Sequence, residues 1–221
     1  MEVGIKALLN GEYPYTATDH LNGRTSNFPG LFILGVIPYL LGNVGFLQVL
    51  NFGFLVYFFR KMLPIKLAFL YLSLLLLSPA YWWEIYVASD MMTNLFIVFY
   101  AILWIDFVRP KLLSTNPYMS GVLLSTLVLT RGIVLIPLAL YFSSKFFSLN
   151  FKTKIKFLLT GVIWGSFLII LVLYNVPDWE TLLNFNPLLL QTTQVPSSVI
   201  LISLILPFIL SFYHKGIQVN Y

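Results

Sequence analysis

The sequence contains no cysteine and few charged residues. Among its 221 residues, only 10% are charged. The lack of cysteine excludes disulfide bonds, thiolate nucleophiles and cysteine-ligated metal sites. The scarcity of charge excludes an ordinary soluble domain, because roughly a quarter of the residues in such a domain are charged. The chain therefore lacks the polar surface that a water-exposed globule needs.

The residues that are present are mostly apolar. Hydrophobic residues make up 59% of the chain, its mean hydropathy is +0.87, and it holds 20 Phe, 13 Tyr and 5 Trp. The apolar segments are long and do not alternate strictly, which favours membrane-spanning helices over barrel strands. Many Tyr and Trp stand near segment ends, as in the aromatic belts at membrane interfaces. We therefore predict an all-α, polytopic integral membrane protein.

The apolar runs predict about seven membrane-spanning helices in a single transmembrane domain over 1–221. The predicted spans are 44–59, 65–82, 91–108, 117–130, 132–147, 157–174 and 197–213. An exoplasmic segment, 1–43, precedes them. Its apolar run 31–41 is too short to cross a bilayer, so we interpret it as an interfacial helix, interrupted by Pro38. The spans occupy 44–213, the tail is 214–221, and 175–196 is interpreted as a loop.

Basic and acidic residues segregate to opposite sides of these spans. If the loops 60–66, 109–111 and 145–156 and the tail are cytoplasmic, that side holds ten of the thirteen basic residues. The other side then holds seven of the eight carboxylates. This is the positive-inside pattern, so we predict a cytoplasmic C-terminus. Because the positive charge is confined to short loops, it indicates topology, and we expect no nucleic-acid partner.

The predicted orientation places the N-terminus on the exoplasmic side. The first 43 residues would then cross the membrane without a preceding span, and Met1-Glu2 opens neither a basic nor an apolar leader. The simplest expectation is that a transmembrane helix upstream of residue 1 is missing, as in a truncated gene. The alternative is an N-out protein that is inserted tail-first.

Two charged residues at the predicted outer ends of spans are candidates for a functional site. Asp90 begins the third span, where its carboxylate either binds a substrate or caps the helix. Arg131 lies between the fourth and fifth spans and departs from the positive-inside pattern. A guanidinium at headgroup level suits a phosphate or pyrophosphate group. The alternative is a snorkelling interfacial arginine.

Two other clusters lie on the same predicted side. Within six residues, the first outer loop holds an acid, an imidazole, an amide and a cation: Asp19, His20, Asn22 and Arg24. Such a set can bind a sugar or a phosphate, although any polar loop has a similar composition. The second cluster places aromatic rings beside carboxylates, and it consists of Trp82, Trp83 and Glu84 together with Trp179 and Glu180. Sugars are often bound in this way, and an interfacial aromatic belt is the alternative interpretation.

Several common catalytic motifs are missing. The sequence has no HExxH, no GxSxG and no phosphate-binding glycine loop. Its two histidines, His20 and His214, fall on opposite sides of the predicted membrane. The chain therefore offers no constellation for Ser-His-Asp hydrolysis.

An ordered series of short motifs resembles the GT-C superfamily of membrane glycosyltransferases. The closest likeness is to protein O-mannosyltransferases and lipid A aminoarabinose transferases. The motifs of the first loop read ALLNGEYPY, HLNGR and FPGLFILGVIPYLLGN. They are followed by the basic turn FFRKMLP, by SPAYWWEIYVASDMMTN and by LTRGIVLIP. The resemblance covers roughly 2–145, and its specificity comes from the order of the motifs.

The resemblance implies an exoplasmic transferase that takes a sugar from a polyprenyl-phosphate donor and needs no other cofactor. It assigns Asp90 to the active-site region, Arg131 to the donor phosphate, and Asn22, Gly23 and Pro29 to the walls of the cavity. The chief catalytic carboxylate of the family lies a few residues before ALLNG, where this chain offers only Glu2. The sequence thus departs from the family pattern at the catalytic carboxylate. This is also where we expect an upstream transmembrane helix to be missing.

The other function that we consider is non-catalytic, such as a lipid or polysaccharide transport subunit or a scaffold. An inactive fragment is a third possibility. In each case the implied partners are membrane lipids and, for a transferase, a polyprenyl-phosphate sugar. An exoplasmic site implies the plasma membrane of a bacterium or archaeon, or the endoplasmic reticulum of a eukaryote, and we expect a bacterial plasma (inner) membrane. The sugar, the acceptor, the oligomeric state and any use of a divalent metal remain open at this point.

Overall fold

A computed structural model of the chain describes residues 1–20, 22–87, 90–193 and 195–213. These residues are helical apart from turns, loops and one isolated bridge between Thr18 and Arg24. The prediction of an all-α protein is confirmed. The helices are α1 (Glu2–Leu9), α2 (Pro29–Leu40), α3 (Phe46–Met62), α4 (Ile65–Leu77), α5 (Pro79–Tyr86), α6 (Met91–Phe107), α7 (Leu112–Thr115), α8 (Pro117–Val128), α9 (Leu135–Phe147), α10 (Phe151–Leu173), α11 (Trp179–Asn184), α12 (Pro187–Thr192) and α13 (Ser197–Tyr213).

Membrane-spanning length is reached by fewer helices than the sequence predicted. In the described ranges, only α10 is by itself long and apolar enough to cross a bilayer, with a hydropathy of 2.2. Up to three spans result if each of two bent pairs counts as one, namely α4 with α5 and Trp179–Thr192 with α13. Helices such as α8 are shorter than the roughly 20 residues of a typical span. The structure therefore supports membrane association, and the seven-span arrangement is not shown.

Exposed apolar side chains on α10 support the same conclusion. Val162, Ile163 and Ile170 are each more than 60% exposed. A soluble protein rarely exposes such a continuous apolar surface to water. Lipid is the solvent that this helix fits, because it needs no polar cover and satisfies its own backbone groups.

The predicted span 65–82 is broken. α4 ends at Leu77, α5 begins at Pro79, and the two helices are bent by 60°. Proline restricts the residue before it to extended backbone, and Ser78 accordingly has φ −73° and ψ 119°. The bend directs the end of α5 toward the start of α6. Pro38, by contrast, does not interrupt its helix, because α2 continues to Leu40.

The loop predicted at 175–196 contains two short helices. Asp178 caps α11 by accepting a hydrogen bond from Thr181 N at 2.7 Å. Asn186 caps α12 in the same way, through Leu189 N at 2.8 Å. The predicted span 157–174 also begins earlier, at Phe151, because Asn150 caps the helix there. In each case a capping side chain satisfies free backbone N–H groups in the first turn of the helix. Such a cap is not part of the apolar pattern, so that pattern did not predict where these helices begin.

An extensive close contact joins α8 and α10 through small residues. Gly121 of α8 lies against Gly161 of α10, and a Cβ atom added to Gly121 would stand 2.6 Å from the Phe157 carbonyl oxygen. One turn farther on, Gly165 lies against Ser125. This small-xxx-small pattern on both helices lets membrane helices approach closely. The contact fixes the end of α8, which carries Thr130 and Arg131, over α10.

Candidate functional site

The first loop docks on the end of α8. The backbone N–H of Phe28 donates to the Thr130 carbonyl at 3.1 Å, and that of Gly30 donates to the Leu129 carbonyl at 2.6 Å. A Cβ atom on Gly30 would lie 2.5 Å from the Thr126 carbonyl oxygen, so this approach requires glycine. Two motifs that the sequence presents about 100 residues apart, FPG and LTR, thus form one backbone-paired unit.

Asp90 and Arg131 form an ion pair at this unit. Asp90 precedes the first turn of α6, and Arg131 occupies an extended residue between α8 and the 3₁₀ turn Gly132–Val134. Their side chains are only 13% and 22% exposed. Arg131 also donates to Ser26 Oγ at 3.4 Å. Two charges removed from water to this extent are stabilised by pairing with each other.

The pair answers one question that the sequence left open. Asp90 stands at the N-cap position of α6, but its side chain makes no capping hydrogen bond. Its carboxylate is directed to Arg131, and its carbonyl accepts from the Asn94 side-chain amide at 2.6 Å. Arg131 in turn is held by protein partners and does not snorkel alone. Both residues therefore belong to one structured site.

The α11–α12 segment covers the pair, which sequence reasoning missed. Gln191 of α12 accepts from Gly132 N at 2.9 Å and donates through Nε2 to the Ser26 carbonyl. Phe185 accepts a hydrogen bond from the Tyr13 hydroxyl at 2.8 Å, and its ring lies 4.4 Å from the Arg24 guanidinium carbon. The only sequence signal for Gln191 is an amide in an otherwise half-apolar stretch.

A polar cleft of about 600 Å³ opens beside the ion pair. Three carboxylates, two cationic side chains and an imidazole line it: Glu2, Asp19, Asp90, Lys6, Arg24 and His20. Glu2, Asp19, His20, Arg24 and Asp90 are all predicted site residues, and Lys6 was missed. Lys6 lies on the polar face of the amphipathic helix α1, one turn after Glu2. The cleft thus gathers acids, cations and an imidazole from the first loop, α1 and the start of α6.

The remaining predicted residues lie near the cleft but not in its wall. Asn22 is an exposed turn residue with φ 60°, and the turn is closed by Gly23 N donating to Asp19 Oδ1 at 2.7 Å. Glu84 accepts from Met92 N at 3.3 Å and faces a small separate cavity of about 20 Å³. Trp83 is 64% exposed. The expected pairing of Trp83 with Glu84 at a sugar is therefore not formed within the cleft itself.

An apolar cleft of about 400 Å³ lies on the other side of the docked loop. It is lined by Tyr15, Phe28, Pro29, Leu129, Ile169, Leu173 and the leucines of α11 and α12. Pro29, predicted to shape the cavity, lines this cleft. Phe28 lies two residues after Ser26, and Leu129 lies two residues before Arg131. The lining of the apolar cleft therefore comes within two residues of Arg131 along the backbone.

Two tyrosines stabilise the wall between the clefts. Tyr15 is fully buried and donates to the Asn27 carbonyl at 2.8 Å, while Tyr13 holds Phe185. Burial raises the pKa of Tyr13 to about 12 and raises that of Tyr15 as well. Both hydroxyls thus remain neutral donors at physiological pH and serve to hold the wall.

Within the ranges that the structure describes, no three His, Asp or Glu side chains are grouped to hold a metal ion. The polar cleft and its ion pair bring together a paired cation, several carboxylates and the His20 imidazole. Comparison with protein-family models, with curated proteins and with solved structures finds no match.

Proposed function

We propose that this protein is a membrane glycosyltransferase that moves a sugar from a polyprenyl-phosphate donor to an acceptor on the exoplasmic face. The observation that carries the proposal is the Asp90–Arg131 pair, in which Asp90 lines the polar cleft and Arg131 stands two residues after Leu129 of the apolar cleft. The donor has the same three parts in the same order: an apolar chain, a phosphate and a sugar. The resemblance of the motifs to the GT-C superfamily supports the same function.

The proposed placement of the donor follows from the lining residues. Its prenyl units contact Leu129, Leu173 and the leucines of α11 and α12, which removes apolar surface from water or headgroups. Its phosphate faces Arg131, whose planar guanidinium matches phosphate oxygens. Its sugar occupies the polar cleft, where Asp19, His20 and Arg24 can bond hydroxyl groups.

The proposed reaction needs few groups. The acceptor oxygen or nitrogen forms a bond to the anomeric carbon, and the bond from that carbon to the phosphate oxygen breaks. The electron pair leaves with polyprenyl phosphate, whose negative charge Arg131 stabilises. A cleft carboxylate, for which Glu2 and Asp19 are available in the lining, accepts the acceptor's proton. Asp90 holds Arg131 in position from the wall of the cleft.

Transfer is tested with the purified full chain in liposomes that contain polyprenyl-phosphate sugars with a radiolabelled hexose or pentose, together with a membrane extract that supplies the acceptor. The expected result is loss of label from the donor and release of polyprenyl phosphate, at a rate proportional to the amount of protein. A chain that leaves every donor intact, yet moves the lipid-linked sugar between leaflets, would replace the proposal with the transport function. Leaflet movement is measured by enzymatic access to the sugar from outside the liposome.

We also propose that the protein is multi-pass, with the site exoplasmic and the C-terminus cytoplasmic. Because the chain has no cysteine, single cysteines report topology cleanly. Thr16→Cys and Glu180→Cys should react with a membrane-impermeant maleimide on intact cells. Ser148→Cys, which lies exposed between α9 and α10, should react only after permeabilisation. Labelling of all three positions from the same side would contradict this topology.

A further inference from the structure

A second cavity lies where α7 and the first turns of α8 and α10 meet, away from the proposed transfer site. Its volume is about 650 Å³. Lys152 and Lys156 of α10 line it, together with Ser114 and Thr115 of α7 and Tyr118 of α8. Lys152 and Lys156 are four residues apart and so lie on one face of α10. The lining contains no carboxylate.

The surrounding charge leaves these two lysines available to an anion. Asp106 is the one of the chain's eight carboxylates that the charge pattern assigns to the predicted cytoplasmic side. It is bonded to Lys145 at 2.8 Å and to the Tyr141 hydroxyl. Lys154, between the two cavity lysines in sequence, donates to the Phe147 carbonyl at 2.8 Å. The described residues offer Lys152 no ion-pair partner, and its ammonium is exposed.

Apolar residues follow or precede the lining of this cationic cavity directly in sequence on two helices. An apolar cleft of about 280 Å³ between α8, α9, α10 and α13 is lined by Leu113, Phe142 and Phe157. Leu113 precedes Ser114, and Phe157 follows Lys156, so the cleft begins one residue away from the cavity on both α7 and α10. A free phosphate would contact only the lysines of the cationic cavity and leave the apolar cleft empty. A ligand that uses both spaces has an anionic head and an apolar tail.

We propose that this cavity binds the phosphate of an anionic phospholipid, with an acyl chain of the same lipid in the adjoining apolar cleft. Basic pockets between membrane helices bind such headgroups, and anionic lipids are enriched in the cytoplasmic leaflet. The Lys156 ammonium lies 5.6 Å from the centre of the Tyr118 ring, which holds it at the mouth of the cavity. The proposal is independent of glycosyl transfer, because it involves no residue of either cleft at the transfer site.

The test is native mass spectrometry of the full chain in detergent, titrated with phosphatidylglycerol or with phosphatidylcholine of the same acyl chains. The double variant Lys152→Gln and Lys156→Gln should weaken phosphatidylglycerol binding by about tenfold or more, because each basic residue near a lipid surface strengthens binding severalfold. The matched control, Lys61→Gln with Lys66→Gln, removes the same charge from the end of α3 and the start of α4, outside the cavity. It should change binding by less than about threefold.

A variant in the apolar cleft separates phospholipid from free phosphate. Ala139 lines this cleft, so Ala139→Phe should weaken phosphatidylglycerol binding while inorganic phosphate, added as a competitor, keeps its wild-type effect. If the cavity double variant and the control double variant lose phosphatidylglycerol binding equally, the loss is a general charge effect and the proposal is overturned. Phosphatidylcholine binding as tight as that of phosphatidylglycerol would also overturn it, as would an Ala139→Phe variant that binds phospholipid as the wild type does.

Discussion

Replacement of Arg131 by alanine should slow donor turnover by about a hundredfold to a thousandfold. This is the typical cost of removing one group that stabilises developing negative charge in a transition state. Arg131→Lys should keep part of the rate, because lysine retains the charge but lacks the planar guanidinium that bonds Asp90 and Ser26 together. The measurement is release of polyprenyl phosphate from the labelled donor in liposomes.

The same substitution has a structural cost that must be separated from the chemical one. Arg131→Ala leaves the Asp90 carboxylate, 13% exposed, without its partner. This should lower the free energy of unfolding by roughly 3 kcal/mol, the lower end of the cost of breaking a buried ion pair, because this pair is partly exposed. The double variant Arg131→Ala with Asp90→Asn removes the unpaired charge, and we expect it to recover most of that stability without recovering turnover. Arg109→Ala, at the opposite end of the bundle, is the matched control. Wild-type turnover in the double variant would show that Arg131 is only structural.

Replacement of Gly121 by leucine should destabilise the protein by about 3 kcal/mol, the upper part of the range for overpacked contacts. The new side chain would meet the Phe157 carbonyl and the backbone of Gly161, so α8 and α10 must separate. The measurement is thermal unfolding in detergent, followed by circular dichroism. Because α8 positions Arg131, donor turnover should fall in parallel.

Gly53→Leu provides the matched control for this variant. Gly53 lies on an exposed face of α3, and a Cβ atom there would meet no other atom within 4 Å. The same chemical change should therefore leave stability unchanged or slightly higher, since leucine forms helices better than glycine. If the two variants unfold at the same temperature, the close approach of α8 and α10 is not a main source of stability.

Parts of the candidate site could be predicted from the sequence because they depend on residue type and on position at the end of an apolar run. Asp90, Arg131, Asp19, His20 and Arg24 stood out as polar groups beside apolar segments. The structure places all of them at the polar cleft or its ion pair. Their roles in binding or catalysis stay predictions, which the Arg131 variants test.

Other parts depend on contacts that no local pattern encodes. Gln191 reaches Ser26 across 165 residues, and nothing near Gln191 in sequence marks it as a site residue. Lys6 is an ordinary polar-face residue of a short helix until the fold places it in the lining of the same cleft as Asp90. Trp83 and Glu84 are neighbours in sequence but face different surroundings, since consecutive residues of one helix, here α5, point to different sides.

By itself, the sequence determined that the chain is helical, apolar and suited to lipid, and roughly where the longer helices lie. Composition, the length of apolar runs and turn residues are local properties, so they can be read without a fold. The tertiary structure decided where a helix breaks, as at Ser78, and which distant groups meet, as Asp90 meets Arg131. Such contacts depend on how closely helices pack, and here a pair of glycines in α8 and α10 sets that distance.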